Sequence, residues 1–590
     1  MFGIFFKTLL ISSLLFLYAG KIMDSEIDIS AYDYPLPEKG LIKYFEYTIA
    51  IVGTNDIHGG AIPMNLTNPT TKENYLYGGL EYLSTYIQTI KKDWNDRVLW
   101  LDSGDQFQGT IENKISNGSI LTDFFNLAQV DGSTIGNHEW DFGRDFLDNR
   151  LKSANWEYVV GNIYNNQTNL PEELFNTVTH KMFKVGKIKL GVIGMTTVET
   201  PITTNGNITN LIFKEYNDII IEKAKLLRSQ GAHAIVLNAH VGLLCPNEDE
   251  EKIVLRIRTE KDIQGKCQES GEMYKLLHEL PTGTVDLVVS GHAHDGVHHW
   301  INKIPVIQNP SGGKFFNIMY VTFDRDFKIK IDRTRIEGPV PVCDKVLKST
   351  HNCLPLDSHN PKGNTTIHNY KFHKTKITAD PKVLDIYKEF KDELDKYKKV
   401  IAYTNVNLER DFTKENQLGN MAADIIKDVM GGDVSIINNG GFRTTWNIGP
   451  ITVESVFNMF PFLDTYLVSF DMTGAELKRC LKTIQLGKKS FYATSGVVQD
   501  FVESPRSFLD VKFYNNVTID DKATYKIVTV QFLLYGGDDF GEVLKWYTPR
   551  NVQVDRRNLR DIVQMYVEKI KEINEGDFID PNNPRIHFKK

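Results

Sequence analysis

The chain has 590 residues, of which 41% are hydrophobic and 24% are charged, and its formal net charge is −7. This length suits two or more globular domains, and the composition excludes a collagen-like or largely disordered protein. The negative charge excludes a general nucleic-acid or acidic-membrane binder, which needs a basic face. A small anion bound by metal ions needs no such face.

The first 20 residues are typical of a secretory signal peptide. Lys7 gives one positive charge, and residues 9–19 form an apolar run that is short for a membrane span of ~20 residues. The small residues Ala19 and Gly20 offer a cleavage point. We therefore expect a secreted protein without a membrane span after cleavage, although the imperfect cleavage pattern leaves an uncleaved signal anchor open.

Glycosylation sequences and the C-terminus agree with a secretory route. The last ten residues have no hydrophobic tail, so no lipid-anchor signal is expected there. The Asn-x-Ser/Thr sequences begin at Asn65, Asn117, Asn166, Asn207, Asn364 and Asn516.

The cysteines are odd in number, five, so at least one is unpaired. Cys245 with Cys267 and Cys343 with Cys353 are the plausible local pairs, each closing a loop outside regular structure. Cys480 lies in an apolar pattern and is expected to be a buried free thiol. The alternative is that all the thiols are free.

Residues 46–335 alternate short apolar runs with helical segments, which predicts a sheet covered by helices. The clearest strands are Ile49–Val52 and Val98–Leu101, and further strands begin near Val236 and Leu287. The predicted helices are Tyr82–Lys92, Thr122–Leu127 and Tyr216–Ser229.

Five polar clusters follow strands of this domain. Strand ends at one edge of an α/β sheet converge in space, so the five clusters are expected to meet. Carboxylate, imidazole and amide groups together suit Zn²⁺, Mn²⁺ or Fe. The candidate ligands are Asp56, His58, Asp105, Asn137, His240, His292 and His294.

Seven ligands are too many for one ion. The sequence therefore predicts two divalent ions about 3.5–4 Å apart that share a carboxylate, activate water and bind a phosphoryl group. The alternative is that these residues are ordinary loop polar groups. That alternative fits any single histidine, but it does not explain why the strand-end placement recurs in every cluster.

Three segments separate this domain from the next. Residues 244–284 form a charged insertion directly after His240, which either walls the site or decorates the surface. Residues 336–380 contain several prolines and predict a linker with little regular structure. Residues 381–399 have helical apolar spacing and predict one connecting helix.

A second α/β domain is predicted over residues 400–576, with a C-terminal helix from Leu559 to Ile573. Its glycine-rich segments 435–443 and 532–540 contain aromatic, acidic and Arg side chains that suit a nucleotide. An aromatic ring stacks on a base, a carboxylate accepts ribose hydroxyls, and an Arg binds phosphate. The alternative is a pair of glycine-rich turns beside core phenylalanines.

The motifs Asp56-Ile-His58, Gly104-Asp105, Gly136-Asn-His-Glu139 and Gly291-His-Ala-His294, together with His240, resemble those of the calcineurin-like metallophosphoesterases. The continuation to Asp141 and the second domain resemble the 5′-nucleotidase and UDP-sugar hydrolase branch, over about residues 47–546. The resemblance implies a four-layer α/β/β/α first domain joined by a helix to an α/β nucleotide-binding domain.

The resemblance also implies residue roles. Asp56, His58, Asp105 and His294 would bind one ion, and Asp105, Asn137, His240 and His292 the other, with Asp105 as the bridge. His138 would stabilise the transition state and assist the leaving alkoxide, oriented by Asp141. Glu139 is expected to be structural.

For the substrate, the resemblance implies contacts from Asn438, Arg443, Phe462, Phe532 and Asp538, with the two rings on either side of the base. Gln417-Leu-Gly-Asn420 matches another family motif. One departure is Phe412, where relatives carry an Arg. Arg410 or Lys414 would then have to supply that phosphate contact with a less rigid donor set.

The sequence thus predicts a secreted two-metal phosphohydrolase of nucleotides, most specifically a 5′-nucleotidase. The enzymatic alternatives are an apyrase, a UDP-sugar hydrolase and a 2′,3′-cyclic-nucleotide phosphodiesterase. The non-enzymatic alternative is a secreted nucleotide-binding protein. The oligomeric state is left open.

Overall fold

The computed structural model describes residues 46–589 apart from 69–70, 205–207, 246–255, 263–266, 348–352, 354–365, 412–413, 463–464, 488–490, 504–505 and 580–583. The predicted signal peptide, the sequences at Asn207 and Asn364, and Phe412 lie outside the described residues. Within the described ranges, no helix combines the length and the apolar character needed to cross a bilayer.

The first domain is built from strands and helices that alternate along the chain. Its strands are β1 (Tyr47–Thr54), β2 (Met64–Thr67), β3 (Asn74–Tyr77), β4 (Val98–Asp102), β5 (Gly132–Ser133), β6 (Glu157–Val159), β7 (Ile163–Asn165), β8 (Thr177–Val178), β9 (His180–Val185), β10 (Ile188–Thr196), β11 (Leu211–Phe213), β12 (Ala234–His240), β13 (Arg256–Arg258), β14 (Leu287–Ser290), β15 (Val297–Ile301), β16 (Ile304–Gln308), β17 (Phe315–Phe323) and β18 (Arg335–Pro341). Its helices are α1 (Leu80–Trp94), α2 (Ile111–Ile115), α3 (Ser119–Ala128), α4 (Arg144–Ser153), α5 (Thr200–Thr203), α6 (Asn217–Ser229) and α7 (Glu272–Glu279).

Two sheets of this domain pack face to face. Over the described residues, one has the order β13-β18-β17-β1-β4-β5-β6-β8 and the other β15-β16-β14-β12-β10-β9. The core between them contains Ile51 and Leu99 from the first sheet and Val192 and Val236 from the second. These strands are buried on both faces, and their sequences are therefore continuous runs of apolar residues.

Helices cover the outer face of each sheet. Leu83 and Phe124, from α1 and α3, pack with Trp100 on one side, and Leu227 and Leu276, from α6 and α7, pack on the other side. This arrangement confirms the four-layer α/β/β/α class.

The strand directions set the position of the site. β1 runs parallel to β4, and β4 to β5, while β12 runs parallel to β10 and β14. The carboxyl ends of parallel neighbours lie at the same edge of a sheet. The polar clusters at the ends of these strands are thereby brought to one edge of the sandwich.

The interpretation of residues 336–380 as a linker with little regular structure is wrong in its first part. β18 pairs with both β13 and β17 and is buried from Ile336 to Pro341. A register shift opposite Gly338-Pro339 lets the strand accommodate a proline that cannot donate a backbone hydrogen bond. The segment continues with β19 (Lys345–Leu347), β20 (Ile367–Asn369), β21 (Lys371–Phe372) and β22 (Thr375–Lys376).

The predicted single connecting helix is two helices, α8 (Pro381–Lys388) and α9 (Lys391–Tyr397). Val383 packs in the core of the first domain, whereas Leu394 packs with Ile111 of α2 and with Phe457 of the second domain. The break at residues 389–390 lets the two apolar faces pack against different surfaces.

The second domain is a mixed α/β fold that extends beyond the predicted end at 576, because its last strand, Ile586–Lys589, pairs with the strand Val497–Val502. Its strands are β23 (Val400–Thr404), β24 (Val434–Asn438), β25 (Gly449–Thr452), β26 (Tyr466–Thr473), β27 (Tyr492–Ser495), β28 (Val497–Val502), β29 (Ser507–Phe513), β30 (Thr524–Val530), β31 (Arg550–Asn558), β32 (Glu572–Ile573) and β33 (Ile586–Lys589). Its helices are α10 (Gln417–Met430), α11 (Val453–Met459), α12 (Gly474–Gln485), α13 (Gln531–Leu534), α14 (Phe540–Leu544) and α15 (Leu559–Ile570). The C-terminal helix therefore ends three residues earlier than predicted.

Both predicted disulfides are present. Cys245 is bonded to Cys267 and Cys343 to Cys353, while Cys480 is a buried free cysteine. The first disulfide closes residues 245–267 of the insertion. The insertion is more than surface decoration, because its strand β13 joins the large sheet and its helix α7 packs into a core.

Replacing Ile51, which is 0% exposed between the two sheets, with Ala should destabilise the first domain by about 2–5 kcal/mol, because the lost contacts leave a cavity. Urea unfolding followed by tryptophan fluorescence measures the change. The matched control is Ile212→Ala, since Ile212 is 38% exposed and the same truncation should cost less than about 1 kcal/mol there. Equal effects of the two variants would contradict the proposed packing.

Candidate metal centre and substrate face

Four ligand atoms from three strand ends form the first group. Asp56, His58, Asp105 and His294 offer ligand atoms that all lie within 4.8 Å of one another. Nε2 of His58 lies 3.0 Å from Nε2 of His294 and 3.6 Å from a carboxylate oxygen of Asp105. Nε2 of His294 lies 3.2 Å from Oδ1 of Asp56.

A second group shares one atom with the first. Oδ2 of Asp105 lies 3.1 Å from Nε2 of His240. Oδ1 of Asn137 lies 2.9 Å from the same nitrogen and 3.0 Å from Nδ1 of His292. The structure therefore brings all seven candidate ligands together in two groups, with Asp105 common to both.

Neighbouring groups orient these side chains. The Ser103 carbonyl oxygen lies 2.7 Å from Nδ1 of His240, which leaves Nε2 facing the cluster. Oδ2 of Asp56 accepts hydrogen bonds from the amide of Asn55 at 2.6 Å and from the backbone N–H of His292 at 2.9 Å. Its other oxygen is thus directed at the histidines.

Five of the seven candidate ligands have a left-handed backbone conformation. Their φ angles are 51° for Asp56, 48° for His58, 54° for Asp105, 79° for His292 and 60° for His294. Such angles are uncommon outside glycine, although Asn, Asp and His tolerate them better than most residues. Each strand ends in a sharp turn that directs a side chain back across the sheet edge.

The site carries a buried negative charge that suits a cation. Burial by itself would raise the pKa of Asp56 and of Asp105, but the surrounding imidazoles more than offset this and hold both pKa values below the usual range. Oδ1 of Asp56 and Oδ2 of Asp105 are buried and accept no hydrogen bond. Buried carboxylate oxygens without donors, facing imidazole nitrogens, fit divalent metal ions.

His138 lies beside these groups. Its Nδ1 is 2.7 Å from Oδ2 of Asp141, and its Nε2 is 3.0 Å from a guanidinium nitrogen of Arg443. A guanidinium can only donate, so Nε2 accepts and Nδ1–H donates to Asp141. The ring centroid is 5.3 Å from that of His58. This pair therefore faces both the metal cluster and the second domain.

The second domain presents two more predicted substrate residues at this point. The guanidinium of Arg443 lies 5.1 Å from the Phe462 ring, and that ring lies 6.0 Å from the ring of His138. In addition, Ile111 of α2 donates its backbone N–H to Asn458 at 3.2 Å. The predicted nucleotide-binding face and the metal cluster are thus in contact.

Three other predicted substrate residues, Asn438, Asp538 and Phe532, contact residues of the second domain. Asn438 donates to Asp538 at 2.6 Å, and Phe532 packs against Gly537, where an added Cβ would lie 2.4 Å from its ring. Gly537 is therefore required for the position of that ring.

Arg410 and Lys414 differ in their suitability as replacements for the family Arg. Arg410 donates to the backbone carbonyl of Arg443 at 3.3 Å. Lys414 is 73% exposed and lies 3.4 Å from Asp411. Arg410 therefore lies next to the backbone of Arg443, whereas Lys414 lies at the surface.

Glu139 binds backbone rather than the metal cluster. Its carboxylate accepts the N–H groups of Asp105 at 2.9 Å, Gln106 at 2.6 Å and Gly136 at 2.5 Å. It ties the loops after β4 and β5 together, which agrees with a structural role.

Two threonines that contact the site residues were not predicted from the sequence. Thr204 donates to Asp141 at 2.8 Å, and the Asn137 amide lies 3.5 Å from the Thr203 carbonyl oxygen. The motifs gave no signal for these contacts, since Thr204 and Asp141 are 63 residues apart in the chain.

Comparison with known families assigns both domains. The calcineurin-like phosphoesterase family matches residues 49–296, and the 5′-nucleotidase C-terminal domain family matches residues 398–545. The first range covers the four-layer domain up to the start of β15, and the second covers most of the second domain.

Similar proteins share nearly the whole chain. A 5′-nucleotidase from Homo sapiens is 25% identical and matches 89% of this chain and 89% of its own length. An apyrase from Aedes aegypti is 24% identical, with 95% and 96% matched. The crystal structure of a 5′-nucleotidase precursor from Thermus thermophilus has a TM-score of 0.71 at 22% identity, with 92% of this chain and 99% of that chain matched. This structural likeness confirms the two-domain fold.

Replacing Asp105 with Asn should lower the bound metal from about two ions per chain to one or fewer, because the carboxylate common to both groups loses its charge. Asn tolerates the left-handed backbone at this position, so the turn is retained. Elemental analysis of the purified protein after dialysis against Mn²⁺ or Zn²⁺ measures the ratio.

The control is Asp295→Asn, which removes an exposed carboxylate next to His294. This variant should keep the metal content of the unaltered protein. Two ions retained by Asp105→Asn would exclude Asp105 as the shared ligand.

Proposed function

We propose that this chain is a metal-dependent phosphohydrolase of nucleotides, because residues 49–296 match the calcineurin-like phosphoesterase family and residues 398–545 match the 5′-nucleotidase C-terminal domain family. The specific reaction is the hydrolysis of a nucleoside 5′-monophosphate to a nucleoside and phosphate. The observation that carries this proposal is the contact of Arg443 and Phe462 with His138, which joins a nucleotide-binding face to a metal cluster.

The seven candidate ligands would bind two metal ions. Asp56, His58, Asp105 and His294 hold one ion, and Asp105, Asn137, His240 and His292 hold the other. Two bound divalent ions supply positive charge for the phosphate group and make water a stronger nucleophile. The buried carboxylates of Asp56 and Asp105 would hold the two ions tightly, because loss of the ions would leave these negative charges buried without enough compensating positive charge.

The chain's own side chains assist the phosphoryl transfer. The guanidinium of Arg443 binds phosphate oxygens, which requires the Arg443–His138 contact to open and admit the substrate. A bond forms between phosphorus and the water oxygen while the bond to the 5′ oxygen breaks. The electron pair of the broken bond stays on the 5′ oxygen, which receives a proton from Nε2 of His138 in its protonated form, while the attacking water releases one proton to solvent and His138 is reprotonated from solvent for the next cycle. Asp141 stabilises that imidazolium.

The second domain selects the nucleotide. Phe462 and Phe532 stack on the base, Asn438 and Asp538 bind the ribose side, and Arg410 stands beside Arg443 at the phosphate. The two helices between the domains allow the binding face to approach and leave the metal cluster, because the contact there is small and partly polar.

Secretion is part of the proposal. The apolar N-terminal segment supports it, and so do the disulfides Cys245–Cys267 and Cys343–Cys353, since such bonds persist in oxidising compartments. Detection of the expressed full-length protein in culture medium, with an N-terminus near residue 20, tests it.

A panel of substrates tests the reaction. With Mn²⁺ or Zn²⁺ present, phosphate release from AMP should exceed release from ADP, ATP, UDP-glucose and 2′,3′-cyclic AMP, the last two assayed by product chromatography. The similarity to an apyrase over 95% of this chain makes ADP and ATP the second candidates. If the protein binds nucleotides but hydrolyses none of these substrates, the proposed enzymatic function is wrong and the protein is a nucleotide-binding protein.

Replacing both Phe462 and Phe532 with Ala should raise KM for AMP by about ten- to a hundred-fold, because aromatic stacking on a base is worth about 1–3 kcal/mol. Hydrolysis of p-nitrophenyl phosphate, which has no base, should change little. Steady-state kinetics on both substrates measure the difference, with Phe588→Ala, at a 49% exposed ring, as the control. An equal loss on both substrates by a folded variant would exclude this division of roles.

A further inference from the structure

A short segment after β10 touches the candidate active site at three places. We name residues 196–204, which include α5, the threonine segment. A carboxylate oxygen of Glu199 lies 3.9 Å from Nε2 of His292. The carbonyl of Thr203 lies 3.5 Å from the Asn137 amide, and the hydroxyl of Thr204 donates to Oδ1 of Asp141 at 2.8 Å.

The contact with Asp141 completes the hydrogen bonding of that carboxylate on both oxygens. Oδ2 faces Nδ1 of His138 at 2.7 Å, while Oδ1 accepts from Thr204. A carboxylate held on both oxygens cannot rotate freely about its terminal torsion, which is otherwise broad. Thr204 therefore helps to fix the plane of the Asp141 carboxylate, and with it the direction of the His138 ring.

The threonine segment is itself held rigidly at its start. Thr196 lies beside His240 in the sheet register. The buried hydroxyl of Thr197 donates to Glu272 of α7 at 3.0 Å, and Tyr216 donates to the same carboxylate. Tyr216 also accepts the backbone N–H of Val198 at 2.9 Å. Helix α7, which follows the Cys245–Cys267 loop, thereby anchors the segment that reaches Asp141.

Hydrogen bonds within the threonine segment also restrain its C-terminal end. Thr200, which is 0% exposed, donates its hydroxyl to the carbonyl of Thr197 at 2.7 Å. Thr203 donates its hydroxyl to the carbonyl of Glu199 at 3.0 Å. Thr204 follows directly, so its hydroxyl is presented from a fixed backbone.

We propose that Thr204 is a positioning residue for the hydrolysis of alkyl phosphate esters, acting through Asp141 on His138; the inference rests on the proposed function. In that reaction the leaving 5′ oxygen takes its proton from Nε2 of His138. An alkoxide is a poor leaving group and needs that proton, whereas p-nitrophenolate is stable without it. Thr204 should therefore matter for one class of ester and not for the other.

The test compares two esters without a base, ribose 5-phosphate and p-nitrophenyl phosphate, on the full chain loaded with Mn²⁺. Thr204→Val removes the hydroxyl at constant shape, and kcat for ribose 5-phosphate should fall about ten- to a hundred-fold, as for a lost hydrogen bond to a charged group. The value for p-nitrophenyl phosphate should change less than about three-fold. Thr204→Ser, which keeps the hydroxyl, should restore most of the loss.

Two further measurements separate positioning from a structural effect. Thr259→Val removes another threonine hydroxyl that donates to a carboxylate, that of Asp262 at 2.7 Å, and should leave both rates unchanged. The metal content of Thr204→Val should equal that of the unaltered protein. Thr204→Ala serves as a second hydroxyl-free variant if Thr204→Val does not fold.

The outcomes are distinct. No loss in Thr204→Val, an equal loss on both esters, or a loss of metal would overturn this inference while the proposed function stands. An unaltered protein that releases no phosphate from AMP or from either baseless ester would overturn the proposed function, and the inference with it.

Discussion

The buried charge of Asp56 and Asp105 is the constraint on which the rest of the site depends. Both carboxylates are at most 1% exposed, and an ionised carboxylate in such a place is stable only beside compensating charge. Imidazoles from three other strand ends supply part of that compensation. The parallel order of β1, β4 and β5 opposite β12 and β14 is what brings these groups within a few ångströms of each other.

The second domain places a cationic and an aromatic side chain beside the metal cluster of the first domain. The first domain offers the metal cluster and His138 but little that distinguishes one phosphate ester from another. Arg443 and Phe462 add a cation and an aromatic face from outside, and their contact with His138 is made across a polar boundary. The apolar cluster between the domains is small, with Ile111, Leu394 and Phe457 at its centre. In the proposed reaction, the two domains that would carry specificity and chemistry are therefore joined by a contact that can open.

Sequence reasoning succeeded where a local pattern determines the structure. Continuous apolar runs identified β1, β4, β12 and β14, and strand-end placement identified the residues that the structure brings together. It failed where the outcome depends on distant contacts. The prolines of β18 suggested a linker because a register shift in a partner strand cannot be read locally. The break between α8 and α9 reflects two different packing surfaces, and the Thr204–Asp141 bond joins segments with no common motif.

The left-handed turns at five of the candidate ligands have a consequence for how the site could change over time. A β-branched or aromatic residue at Asp56, His58, Asp105, His292 or His294 would meet a steric penalty of ~1 kcal/mol or more before any loss of ligation. Asn, Asp and His are the side chains that combine a donor atom with tolerance of this backbone. Glycine also adopts this backbone but offers no ligand atom. Among residues with a side chain, the turns therefore favour those that still coordinate cations, so that such variants with the fold intact are biased towards altered metal preference rather than loss of the site.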